Sequence, residues 1–152
     1  MINFRLLAIT VLLSAPAWVF ATGIKSAYDA FKLSDSQASE TMRAINATCP
    51  SKAEDVASTL SVEARQQAAC RSRQVVKKEA FLKTTAERKI ASLPKSSSDA
   101  ARADQKVWTQ TRYNECKSNQ NDNLGGALKN VVFANCQLLE LKRRTLWMER
   151  KS

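Results

Sequence analysis

The sequence predicts an all-α fold, a small bundle of helical hairpins pinned by two disulfides, and three observations carry that expectation. Apolar residues recur at three- and four-residue steps through long stretches free of Gly and Pro, the periodicity of amphipathic helices. No stretch shows the period-two alternation of a half-buried strand. The four cysteines, at 49, 70, 116 and 136, fall about 20 residues apart in two successive pairs behind a leader of export type.

That leader is MINFRLLAITVLLSAPAWVFA. Arg5 gives it a charged start, an apolar run follows from Leu6, Pro16 breaks the run, and small or apolar residues stand at Val19 and Ala21. The expectation is a cleavable signal over 1–21, since the run from Leu6 to Phe20 falls short of the roughly 20 residues that span a bilayer. No stable membrane anchor is then expected after processing. About 131 residues remain, enough for one domain and not two.

Beyond the leader, Ser34 precedes Gln37 by three residues and Ser51 precedes Glu54 by three, each the spacing of a capping box. These spacings predict a polar helix over 35–47 and a short one after Pro50. Helix formers then run from Val62 to Leu93, with Val75, Leu82, Ala86, Ile90 and Leu93 forming one apolar stripe. The segment PKSSSD, 94–99, reads as a loop whose serines cap the next helix, over 99–118, with Ala100, Ala103, Val107 and Trp108 turned inward. SNQNDNLGG must be a loop, because Asn, Asp and Gly tolerate positive φ and close local turns. A last helix runs from Ala127 toward Arg150, with Leu128, Val132, Cys136, Leu139 and Leu146 on its expected inner side.

Four cysteines allow three connectivities. A Cys116–Cys136 bridge would pin the last hairpin across the Gly-Gly loop, and Cys49–Cys70 would pin the first half in the same way. Each would close about 20 residues, a restriction of the unfolded chain worth on the order of 3 kcal/mol. Zinc binding by four thiolates is a poor alternative without a C-x-x-C or any histidine. No metal or cofactor is expected.

The net charge of +10 is uneven: residues 61–93 hold eight basic residues against three acidic, and residues 127–152 hold six against two. Most such charges form a solvated face. Packed side by side, however, Arg73, Lys77, Lys78 and Arg88 with Lys142 and Arg143 would form a patch for an anionic partner. Nucleic acid is not the expected partner, because the chain carries an export leader and no aromatics interleave the basic run. Catalysis is not expected either. There is no histidine to activate a Ser or Cys and no Gly-rich phosphate loop, and a carboxylate pair such as Glu115 with Asp122 has only residue type in its favour.

Trp108-x3-Arg112-x3-Cys116, then Gly125-Gly126, Phe133 three residues before Cys136, and Arg144 eight residues beyond it, resemble the signature of the LprI-like lysozyme inhibitor family. Upstream, Cys49, Cys70 and Gln105-Lys-Val-Trp108 stand where that family has a cysteine pair and a Q-x-x-W approach. The chain departs from the pattern at Arg71, Ser72 and Arg73, where the family has an acidic residue soon after its second cysteine, in lacking the family's tyrosine further along that helix, for which Phe81 is the nearest aromatic, and at Leu141, often a Thr. Residues 22–48, a polar helical extension, lie outside the resemblance. What it implies is an exported, disulfide-bonded helical domain over 49–152, periplasmic or secreted, that is not an enzyme and whose protein partner is a lysozyme-like hydrolase.

Within that signature, Trp108, Arg112 and Cys116 share one helical stripe and are expected to be structural: a core plug, an internal ion pair and a covalent tie. The loop they hold out, with Lys117, Asn119, Asn121, Asp122 and Asn123, is the better place for partner contacts, because binding residues concentrate in loops on rigid scaffolds.

Overall fold

Ser34 fixes where the first long helix begins. In the computed structural model, which describes residues 28–50, 57–120 and 125–150, its hydroxyl accepts the Gln37 backbone N–H at 3.2 Å. The Gln37 side chain accepts the Ser34 N–H in return at 3.1 Å, completing the predicted capping box. Helix α1 then runs Asp35–Thr48, α2 Ala57–Ala91, α3 Lys95–Ser118 and α4 Gly126–Arg150. The described residues are helical with no strand, so the fold is all-α.

Two boundaries differ from the sequence reading. The Ser51–Glu54 box and most of the helix expected after Pro50 lie outside the described residues, but α2 is already helical at Ala57 and runs unbroken for 35 residues, about 52 Å. Helix α3 starts at Lys95, not at 99. Pro94 explains this: with φ −54° and ψ 149° it sits just ahead of the first turn, where a residue without an N–H costs nothing. The serines thus fall inside the helix, and the Ser98 hydroxyl donates back to the Lys95 carbonyl at 2.8 Å.

Short connections make α2 and α3, and then α3 and α4, antiparallel neighbours. Helices α2 and α4 therefore run in the same direction, and they form the most extensive contact in the fold. Arg71 donates to the Asn135 side chain at one end of this pair, and the Lys89 ammonium donates to the Met148 carbonyl at the other. Helices α1 and α3 each pack on α4 and leave a groove beside α2.

The core cluster joins Leu82, Ala86 and Ile90 of α2 to Trp108, Leu141, Met148 and Tyr28, the last from a single helical turn at 28–30. Leu82 and Leu141, each 2% exposed, contribute about 2 kcal/mol apiece by leaving water. The α2 stripe continues back through Arg71, Ala68 and Ala64, whereas Leu93 lies beyond the helix and is exposed. On α3 the rotation that buries Trp108 leaves Ala103 and Val107 outside. The expected inner face of α4 is also corrected: Ala134, Gln137, Leu138, Leu141, Arg144 and Met148 are buried, nearly the opposite side of the helix. Two of those six are polar, which hid the face from a hydrophobic pattern. Leu128 is exposed, and Val132, Cys136, Leu139 and Leu146 are half-buried.

Both disulfides are present, Cys49–Cys70 and Cys116–Cys136, with Cα separations of 5.8 and 5.5 Å. With all four cysteines paired, the chain suits an oxidising, non-cytoplasmic compartment. Among the described residues, no helix is long and apolar enough to cross a membrane. Residues 1–21, read as the signal, lie outside them.

Candidate functional site

Four-residue steps place Trp108, Arg112 and Cys116 on one stripe of α3, and all three are buried. Cys116 is tied to Cys136 on α4. The Arg112 guanidinium pairs with Glu79 of α2 and lies 4.9 Å from the centre of the Trp108 ring. The Trp108 indole N–H donates to the Tyr28 hydroxyl at 2.9 Å, and that hydroxyl donates to Glu140 at 3.0 Å. Burial, reinforced by the Glu140 carboxylate, pushes the Tyr28 phenol well above the ordinary tyrosine range.

The signature arginine Arg144 is 2% exposed. It pairs with Asp104, donates to Gln105 at 3.0 and 3.1 Å, and stands 4.5 Å from the Trp147 ring centre and 5.2 Å from that of Trp108. Cation–π attraction of this kind strengthens when water is excluded. It bears on two guanidiniums whose N–H groups are incompletely used, since Nε and Nη1 of Arg112 and Nη1 of Arg144 have no hydrogen-bond acceptor.

The expected partner loop is held at both ends. Lys117 is exposed in the last turn of α3, and the Asn119 N–H closes that helix on the Glu115 carbonyl at 3.0 Å. The Gln120 side chain donates to the Lys129 carbonyl at 3.2 Å, tying the loop base to α4. Gly126 takes φ +42°, a conformation other residues rarely adopt, as the chain turns into α4. Asn121, Asp122 and Asn123 lie outside the described residues. Phe133 packs edge-on against Tyr113, with ring centres 5.4 Å apart, one turn from the disulfide on each helix.

The candidate anion patch is only partly assembled. Arg73, Lys77, Lys78 and Arg88 are exposed on α2, and Lys142 is exposed on α4. Lys78 and Lys142 line one groove of about 540 Å³ between α1, α2 and α4, together with Phe81 and Leu146. Arg143 faces elsewhere: it pairs with Glu140 and donates to the Tyr28 and Phe31 carbonyls, so it fastens the N-terminal segment.

A cavity of about 240 Å³ between α3 and α4 gathers Asp104, Glu115, Glu140 and three arginines. Asp104 and Glu140 are each held by a guanidinium, the arrangement of a structural network. Asp122, the other member of the carboxylate pair considered from sequence, lies outside the described residues. A larger groove of about 550 Å³ runs between α2 and α3 over Leu141.

Several of these residues were not legible in the sequence. Tyr28 stands in no periodic pattern, and Glu79, Asp104 and Glu140 look like ordinary solvated charges. Arg71 did carry a signal, a charge inside the stripe Ala64–Ala68–Val75. Only 6% exposed, it donates to Gln67 at 2.9 Å, to Asn46 at 3.0 Å and to Asn135, joining three helices beside the Cys49–Cys70 bridge. Burial among neutral partners lowers its pKa.

Compared with known protein families, curated proteins and solved structures, the chain matches none.

Proposed function

We propose that this chain is an exported, non-enzymatic binding protein, periplasmic or secreted, that acts as the LprI-like inhibitors it resembles are expected to act, by occluding a lysozyme-type cell-wall hydrolase. The observation that carries the reading is the division of labour in one hairpin. Trp108, Arg112, Cys116, Cys136 and Arg144 are consumed by packing, ion pairs and a disulfide, while Lys117 and Asn119 stand exposed directly beyond the staple. Lys117 and Asn119, fixed in the last turn of α3 and at its cap, lose little freedom on binding, which favours affinity. Because the chain is strongly basic and like charge across an interface is unfavourable, this reading calls for an acidic or neutral hydrolase, or for contact through residues 22–60, where five acidic residues stand against four basic ones in the sequence.

The test is a cell-wall lysis assay with the oxidised protein against several lysozyme types. Inhibition is expected at micromolar concentration, and alanine at Lys117, Asn119 and Asp122 should weaken it without lowering the melting temperature. Full hydrolase activity throughout would sink the reading.

A second reading, a basic envelope protein that binds an anionic partner such as lipopolysaccharide, a phospholipid headgroup or an acidic protein, is favoured by the groove that Lys78 and Lys142 share. Its binding should fall steeply as salt rises, and salt-insensitive binding would remove it.

A further inference from the structure

The groove between α2 and α3 has a chemistry of its own. Its floor is apolar, made by Leu82, Ala86, Ile90, Trp108 and Leu141, and Val76 at its edge is 64% exposed. At about 550 Å³ it lies in the range of small-molecule sites, roughly 300–1,000 Å³, which are mostly apolar with a few placed polar groups. It exists because α2 packs closely along α4 and much less along α3.

The charges along this groove are not balanced. Glu79 is held by Arg112, and Glu87 lies 4.0 Å from Lys83 one turn away on α2. Arg102 and Lys106, one turn apart on α3, also line the groove, are exposed, and make no ion pair among the described residues. Toward the other end of the groove sits Arg112, 4% exposed, whose Nε and Nη1 have no acceptor. An apolar trough with two uncommitted cations on one wall complements a molecule that is a hydrocarbon along its length and anionic at its end.

We propose that the α2–α3 groove binds a single-chain anionic amphiphile, a long-chain fatty acid in chemical class, with the chain over Leu82, Ala86 and Leu141 and the carboxylate at Arg102 and Lys106. This does not depend on the hydrolase reading, and the groove is distinct from the one lined by Lys78 and Lys142. The acyl chain covers the exposed edge at Val76 and lies along floor side chains that are themselves almost fully buried, and the headgroup stays at the rim, where a carboxylate need not be desolvated.

The experiment is calorimetric titration of palmitate, below its micellar concentration, into the intact chain with both disulfides formed, with hexadecanol as the neutral analogue. Palmitate should bind saturably and more tightly than hexadecanol. Arg102→Glu combined with Lys106→Glu should weaken palmitate about tenfold, the size expected from reversing two exposed charge contacts. Val76→Asp should also weaken it, and both variants, being surface changes, should keep the parent melting temperature. Absence of saturable binding, unchanged affinity in the double variant, or hexadecanol binding as tightly as palmitate would each overturn the proposal. Hydrolase inhibition, measured separately with the same variants, should be unaltered, so the two readings fail independently.

Discussion

The Trp108 indole N–H and the Tyr28 hydroxyl meet at 2.9 Å across 80 residues of sequence. The contact ties the segment ahead of α1 to the middle of α3, and Glu140 on α4 accepts a hydrogen bond from the Tyr28 hydroxyl in turn. One phenol thus connects three parts of the chain, and Trp108 is its buried support.

Trp108→Ala should be the most damaging single change on α3. It removes a buried indole, the donor to Tyr28 and the ring faced by Arg112 and Arg144. A loss of about 3–5 kcal/mol is expected from large-to-small core changes, read as a shift in the denaturant midpoint. Trp108→Phe, which keeps most of the packing, should cost about half as much or less, on the order of one hydrogen bond with an unpaired oxygen.

Asp104→Asn should destabilise more than Glu79→Gln, although each removes a carboxylate from one arginine. Asp104 is 10% exposed and Glu79 41%, so water can replace Glu79 but hardly Asp104. The expected costs are about 3 kcal/mol for Asp104→Asn and about 1 kcal/mol for Glu79→Gln, compared by thermal melting. Equal effects would show that the Arg144 pair is not the dry one.

Stability should decline at alkaline pH through Tyr28. Its folded pKa is raised by burial above the unfolded value of about 10, so the neutral phenol contributes stability that is complete below that value. Above it the unfolded chain loses its proton first, and folding weakens by up to about 1.4 kcal/mol per pH unit until the folded value is reached. Tyr28→Phe should be less stable at pH 7 yet show a shallower decline between about pH 10 and 11, and the difference between the two slopes isolates this residue from the lysines.

Cys116→Ser with Cys136→Ser should cost about 3 kcal/mol, the effect expected for a loop of 20 residues. The same change should abolish loop-dependent hydrolase inhibition before it abolishes helicity, as compared by lysis assay and circular dichroism. Inhibition at parental potency would mean that the staple does not organise the binding surface.

What the sequence made legible was local. Ser34 and Gln37 specify a cap within four residues, Trp108, Arg112 and Cys116 specify a face by their spacing, and an even count of cysteines behind an export-type leader specifies two disulfides, whose pairing among three connectivities the structure settles. The inward side of α4 was not legible, because Gln137 and Arg144 occupy it and their burial depends on partners 25 to 40 residues away. Tyr28 was invisible for the same reason: no periodicity announces a residue whose side-chain donor and acceptor are both distant. The grooves were beyond reach of any pattern, since they arise from how unevenly three helices approach a fourth.

The two disulfides close successive stretches of chain, 49 to 70 and then 116 to 136, and neither interleaves with the other. When a chain is threaded across a membrane from its N-terminus, the first two thiols emerge and can join while the last two are still inside. Simple oxidation in order of emergence therefore yields the native pairing, with no shuffling by an isomerase required. Refolding of the reduced protein with oxidant alone should regenerate the native pattern, since each cysteine is bonded to the one nearest it in sequence.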